Sequence, residues 1–205
     1  MQMITAALGR VHERAVFNRR VSVLSQVLGA HVPPEASILD VGTGDGQIAK
    51  LVAAEAPGAI AWGVDIMARP AAHVPVTLFD GTSLPFEDKS FDVVSFVDVL
   101  HHTDDPQVLL AEAGRVARKA VILKDHLSQT ALDHATLRLM DWVGNAPHGV
   151  VLPYNYGSAE DWERWFDATG LSVEAFSTDV ALYPFPASLI FGRTLHFVAR
   201  LTPPA

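Results

Sequence analysis

The sequence predicts an α/β protein built on an open, mostly parallel sheet, and three observations carry that prediction. A strand-like run, Ile38–Val41, breaks over Gly42, Gly44 and Gly46 straight into a helix-forming stretch, Gln47–Ala54. Apolar runs of strand length then alternate with helical patterns as far as residue 126, as expected where parallel strands pair through crossovers. Finally, an acid stands at or just beyond the end of five successive apolar runs: Asp40, Asp65, Asp80, Asp98 and Asp125. In an open parallel sheet those ends share one edge, where such folds bind ligands.

The bend ILDVGTGDG, from Ile38 to Gly46, is shaped for a small molecule. A tight turn into a helix start aims backbone N–H groups and the positive end of the helix dipole at whatever lies above it. Glycine lets a ligand approach the backbone and permits positive φ. The dinucleotide fingerprint G-x-G-x-x-G is not met, because Gln47 stands at its third glycine. No Gly-Lys-Ser or Gly-Lys-Thr follows, which excludes a phosphate loop. Asp40 beside the turn would repel a pyrophosphate and suits a ligand carrying positive charge. S-adenosylmethionine is such a ligand, with an ammonium, a sulfonium and no phosphate.

The remaining elements follow in order. Residues 5–30 read as one or two helices, with Phe17, Val21, Leu24 and Leu28 on one face and Asn18, Arg19 and Arg20 between them. Those polar residues are a solvated face or a lid arm that brings an arginine to the cofactor's carboxylate. Pro33-Pro34 ends the segment. Ala59–Asp65 is a second strand, and its closing Asp65 lies where a carboxylate accepts both ribose hydroxyls, with Ile66 near the adenine. Residues 67–73 leave room for about two helical turns before a third strand, Val74–Phe79, closed by Asp80-Gly81. Phe91–Val97 is the fourth strand, Pro106–Arg118 a helix with proline in its first turn, and Ala120–Lys124 the fifth strand. Residues 127–143 look helical, 144–157 irregular, and 158–168 helical with a cap at Ser158 and a stop at Gly170. Leu171–Phe176 and Leu195–Leu201 complete the strands as an antiparallel edge pair.

Composition narrows the class. A chain of 205 residues suits one domain with a sizeable core. We divide it into an N-terminal helical arm (1–34), a cofactor-binding core (35–126), a lid or acceptor region (127–170) and closing edge strands (171–205). The net charge of −8 argues against nucleic-acid binding driven by phosphate contacts. The absence of cysteine excludes a disulfide scaffold, a thiolate nucleophile and a zinc ribbon, and fits the cytoplasm. Neither a targeting segment nor a membrane span is expected, since residues 21–32 are interrupted by Ser22, Ser25, Gln26 and His31.

With ILDVGTGDG, LPF at Leu84–Phe86, SFDVV at Ser90–Val94 and VLHHTDDP at Val99–Pro106, the chain resembles the class I S-adenosylmethionine-dependent methyltransferases, in particular those related to the C-methylating enzymes of quinone biosynthesis. The resemblance covers roughly residues 35–126 by motif. It implies a Rossmann-like methyltransferase fold of about seven strands, helices on both faces, with the last strand antiparallel. It implies S-adenosyl-L-methionine as cofactor, held by Asp40 and the bend residues Gly42, Thr43, Gly44 and Gly46. Asp65 and Ile66 would take the ribose and adenine. Asp80 would meet the adenine amino group and Gly81 the ring, although an ordinary Asp-Gly turn explains the same pair. Val97 and Asp98 would reach the cofactor's amino group. The family's Pro-Gly-Gly turn before the fifth strand is replaced by Arg118-Lys119.

The function this implies is methyl transfer to a small-molecule acceptor by in-line displacement. An acceptor hydroxyl or acidic carbon needs a base, for which His126, then His101 or His102, are the candidates, although adjacent histidines are also plain packing residues. Asp125, Asp141, His148, Tyr154, Asn155 and Tyr156 are candidates to face the acceptor, the 144–157 loop being either a substrate wall or an aromatic plug. No metal is assigned: a magnesium set at Asp98 and Asp125 would need an Asn beside the later Asp, and His126 stands there. The aromatic C-terminal half offers a surface for a homodimer. A nicotinamide-dependent oxidoreductase and a catalytically silent cofactor-binding protein are the alternatives.

Overall fold

A computed structural model describes residues 19–145 and 153–204. Residues 1–18, with Phe17 and Asn18, and His148 of the loop lie outside the described residues. The arm is represented by a helix over residues 19–29 (α1), whose Val21, Leu24 and Leu28 are buried as their spacing requires.

After α1 come β1 (Ser37–Val41), α2 (Gln47–Glu55), β2 (Ile60–Asp65), β3 (Val76–Leu78) and β4 (Phe91–Val97). A single 3₁₀ turn, Leu100–His102, leads to α3 (Pro106–Val116) and β5 (Ala117–His126), then α4 (Ala131–Asn145) and α5 (Ala159–Ala168). The chain closes with β6 (Ser172–Ser177), the short α6 (Ser188–Phe191) and β7 (His196–Thr202). Caps set several of these starts. Asp105 accepts from the Gln107 N–H ahead of Pro106 at the first turn of α3, and Ser158 with Asp161 forms a capping box on α5.

The seven strands form one sheet in the order β3-β2-β1-β4-β5-β7-β6. All neighbours are parallel except β7, which runs antiparallel to both β5 and β6. The last two strands form the expected antiparallel pair at one edge of the sheet, with β7 inserted between β5 and the edge strand β6. The residues of β7 alternate between buried faces on both sides, so β7 has the sequence of an interior strand.

Strand alternation divides the core into two layers. Leu39, Val41, Val94, Phe96, Val121, Leu123 and Phe197 face one side, with Leu110 of α3 and Trp162 and Phe166 of α5. Ile38, Val93, Ile122 and Val198 face the other, with Leu24 and Leu28 of α1 and Val52 of α2. The two-residue period continues past the apolar part of β5. It turns Lys124 toward the α1 side and Asp125 toward the 3₁₀ turn, and both side chains are fully buried.

Two expectations are revised. No helix forms between β2 and β3, where residues 66–75 are irregular. The segment instead folds back over the glycine bend, with the His73 N–H donated to the Asp45 carbonyl at 2.7 Å and Val74 against Gly46. In addition α4 starts later than residue 127, where Thr130 and Asp133 bond reciprocally ahead of its first turn.

Candidate active site

The strand order reverses between β1 and β4, since the chain travels outward through β2 and β3 and returns to the opposite side of β1. A cleft of about 560 Å³ opens beyond the strand ends at this switch point. Gly42, Gly44, Asp65, Asp80, Gly81 and Asp98 line it, with Ile66, Val99, His102 and Val108 among the other walls.

The bend is built for close approach. Gly42, Gly44 and Gly46 all have positive φ, 69°, 60° and 74°. A Cβ on Gly42 would meet Val99 at 2.7 Å and one on Gly46 would meet Val74 at 2.5 Å, so those two glycines are set by packing. A Cβ on Gly44 would meet nothing within 4 Å. The Gly44 N–H is donated to Asp65 Oδ2 at 2.8 Å and the Met67 N–H to Asp65 Oδ1 at 2.9 Å, which fixes the carboxylate at the cleft wall. Ile66 and Val108, both exposed, give the cleft an apolar part of its wall. Asp80 caps the turn after β3, its Oδ1 accepting from the Thr82 N–H and hydroxyl and the Ser83 N–H. These bonds hold its carboxyl below the usual range, so the Asp-Gly turn reading accounts for one oxygen of a residue that also borders the cleft.

Asp40, Thr43 and Val97 lie beside the cleft rather than in its lining. The β1–β4 register sets Asp40 opposite Ser95, whose hydroxyl donates to Asp40 Oδ1 at 2.7 Å. Burial pushes the Asp40 carboxyl up to about 6, against the pull of that bond. The side chain of Thr43 covers Gly63 of β2, and Val97 is half-buried opposite Lys124. Asp98, with φ of 57°, receives both Arg20 of α1 and Lys124 of β5. Burial alone would raise the Asp98 carboxyl, but the two cations hold it well below the carboxylate range. Arg20 thus reaches the cleft wall, where it meets a carboxylate of the chain itself.

Next to Asp98 lies a buried polar cluster. His101 Nδ1 is 2.6 Å from Asp125 Oδ1, and Asp125 also accepts from the Leu100 and His126 N–H groups at 3.0 and 2.8 Å. His101 Nε2 is 3.4 Å from Asp141 Oδ2, which receives the Tyr156 hydroxyl. His126 Nδ1 is 3.1 Å from His196 Nδ1, and His126 Nε2 lies 3.5 Å from Asp98 Oδ1. Burial would lower the His101 imidazole, but Asp125 and Asp141 outweigh it and raise it to about 10. Burial drives His126 far down and His196 to about 3. Of the three candidate bases, His102 borders the cleft while His101 and His126 stand behind it. Asp125 and Tyr156 are likewise interior, and Tyr154 packs under the Arg138 guanidinium at 4.6 Å.

Sequence reasoning missed Lys124 and His196. A lysine and a histidine inside otherwise apolar strands were the available signals, but Asp98, which meets Lys124, and His126, which meets His196, are remote from them in the chain.

A glycine bend, a backbone-clamped acid one strand over and a sheet whose seventh strand alone is reversed define the class I methyltransferase type of Rossmann-like fold. The chain belongs to the methyltransferase domain family, matching it over residues 12–175. A ubiquinone/menaquinone biosynthesis C-methyltransferase of Cupriavidus taiwanensis is 27% identical over 146 residues, which are 62% of this chain and 60% of that protein. The chain thus spans about 60% of the length of such curated relatives. Among solved structures, the methyltransferase in complex with the Haloferax volcanii Trm112 methyltransferase activator superposes with a TM-score of 0.68 at 17% identity, over 98% of this chain and 96% of that one. Geranyl diphosphate C-methyltransferase of Streptomyces coelicolor A3(2) does so with a TM-score of 0.66 at 13% identity, over 89% and 79%. These findings give no support to the dinucleotide reading. Among the described residues, no helix is long and apolar enough to cross a membrane.

Proposed function

We propose that the protein transfers a methyl group from S-adenosylmethionine to a small-molecule acceptor in the cytoplasm. The observation that carries the reading is Gly44, whose positive φ and empty Cβ direction leave a cradle beside the Asp65 carboxylate. When bound, the cofactor supplies a methyl carbon on a sulfonium, an already activated leaving group.

The chain's own residues then bind and align. The lone pairs of Asp65 not used by Gly44 and Met67 accept ribose hydroxyls. Ile66 and Val108 enclose the adenine, with Asp80 and Gly81 at its edge. The buried Asp40 favours the ligand's positive charge, Asp98 being already met by Arg20 and Lys124, and the cleft excludes water from the reacting atoms. An acceptor meets His102 ahead of His126 and His101, because His102 is the one of the three that borders the cleft. The apolar side chains Leu139, Trp142 and Leu189, each more than half exposed, support the homodimer included in this reading. Light scattering checks that part.

Calorimetry with S-adenosylhomocysteine and with NADH tests the central reading. Binding of the first, abolished in Asp65→Ala, is expected. Binding of NADH without S-adenosylhomocysteine would overturn it.

A further inference from the structure

Two imidazole nitrogens in the buried cluster make no hydrogen bond among the described residues. His101 Nδ1 must carry a proton, because it bonds to a carboxylate oxygen that only accepts. His101 Nε2 lies 3.4 Å from Asp141 Oδ2 on a side chain 1% exposed and makes no hydrogen bond among the described residues. A metal ion there would displace the proton that the two carboxylates hold on the ring. His102 Nδ1 is also buried and makes no hydrogen bond among the described residues, although the rest of that ring borders the cleft. Both converge on Asp141, and ligand atoms of His101, His102 and Asp141 all lie within 4.8 Å of one another.

The charges point the same way. Arg20 and Lys124 are both engaged by Asp98. Asp125 and Asp141 therefore have only histidines as ionic partners among the described residues. The His101 ring is then a single cation shared by two buried carboxylates, and a divalent ion would neutralise the pair more completely.

We propose that His101 Nε2, His102 Nδ1 and the Asp141 carboxylate form a binding site for a divalent first-row transition metal ion. Two imidazoles and one carboxylate suit zinc, iron, cobalt or nickel, whereas magnesium and calcium take oxygen sets. The surroundings are those of a metal centre. Asp125 behind His101 fixes the ring and its tautomer, as a carboxylate behind a metal-bound histidine does, and the Tyr156 hydroxyl orients Asp141. Three protein ligands leave coordination positions open, and His102 also borders the cleft, so the ion adjoins the proposed acceptor space. With the ion bound at Nδ1, His102 positions an acceptor rather than deprotonating it. The sequence concealed the set because Asp141 comes from α4, about forty residues beyond the histidines.

The test is titration of chelator-treated protein with cobalt(II), followed by visible absorption, with zinc(II) and magnesium(II) followed by calorimetry. One cobalt or zinc ion per chain and no magnesium is expected. His102→Gln and Asp141→Asn should each weaken binding at least about tenfold, while His73→Gln, remote from the cluster, leaves it unchanged. X-ray absorption of the zinc-loaded wild type requires no variant to fold and should report two imidazole ligands. No binding, binding equally tight in both ligand variants, or a zinc shell with fewer than two imidazoles overturns the proposal. Metal binding does not depend on the methyl-transfer reading, which the S-adenosylhomocysteine titration tests separately.

Discussion

His101 and Asp125 meet at 2.6 Å between side chains that are 1% and 0% exposed. The same carboxylate accepts the Leu100 and His126 N–H groups, so one buried acid ties the 3₁₀ turn after β4 to the end of β5. That knot places His102 at the cleft wall and fixes the direction of the chain between Asp98 and α3.

Asp125→Ala should therefore unfold more easily by about 3–5 kcal/mol, the usual cost of removing one partner of a buried, hydrogen-bonded ion pair. Urea denaturation monitored by circular dichroism measures it. A loss below about 1 kcal/mol would mean that the three donors find other acceptors and that the knot does not hold the turn.

Gly42 and Gly44 make a paired experiment, because both have positive φ but differ in what a side chain would strike. Each Gly→Ala change carries about 1–2 kcal/mol of backbone strain. Gly42→Ala adds the 2.7 Å approach to Val99 and should be the less stable of the two. Gly44→Ala meets no protein atom within 4 Å, so its added methyl group occupies ligand space. Its S-adenosylhomocysteine affinity should fall by at least about tenfold, roughly 1.4 kcal/mol, with thermal stability reduced only by the strain. Equal affinities for wild type and Gly44→Ala would place the ligand elsewhere.

Asp40 gives a pH dependence whose sign follows from its burial. Its carboxyl is raised from the ordinary 3.8 to about 6, so the folded protein holds the proton more tightly than the unfolded chain does. The associated stability is fully present below about 3.8 and is lost as pH rises to about 6, at most about 3 kcal/mol. Asp40→Asn keeps the shape and the Ser95 bond without the charge. Its unfolding free energy should be flatter than that of wild type between pH 4 and 6.5 or so and higher at pH 7, as urea titrations across that range would show. S-adenosylhomocysteine, which carries an ammonium but no sulfonium, should bind Asp40→Asn less tightly than wild type at pH 7.

These residues also show how far the sequence could be read. Ile38–Val41, Phe91–Val97 and Ala120–Leu123 announce themselves because buried parallel strands need near-continuous apolar runs, and glycines mark the bend because its backbone needs positive φ. Asp65, at a strand end beside that bend, was legible for the same reason. The position of β7 was not, since pairing order depends on which strand edges remain free after the crossovers. Nor could periodicity show the polar cluster, whose members come from α1, β4, the 3₁₀ turn, β5, α4 and β7. Strand parity decides that Lys124 faces Asp98 while Asp125 faces His101, and that becomes visible only once β4 and β5 are paired in register.

The Asp98–Lys124 pair lends itself to a double-mutant cycle. Lys124 is fully buried, and burial lowers its ammonium while Asp98 supports the charged form. Asp98 retains Arg20 if Lys124 is removed, so Lys124→Met should cost about 3 kcal/mol, the lower end for breaking a buried pair. Asp98→Asn leaves Lys124 beside a second cation in the interior and should cost at least as much. The double variant removes the uncompensated charge at Lys124 and leaves only Arg20, which is partly exposed. Its loss should therefore fall short of the summed single losses by about 1–3 kcal/mol. Urea midpoints for the four proteins, with m-values compared to confirm a common denatured state, measure the coupling. Additive losses would show that Lys124 is held by its packing rather than by Asp98.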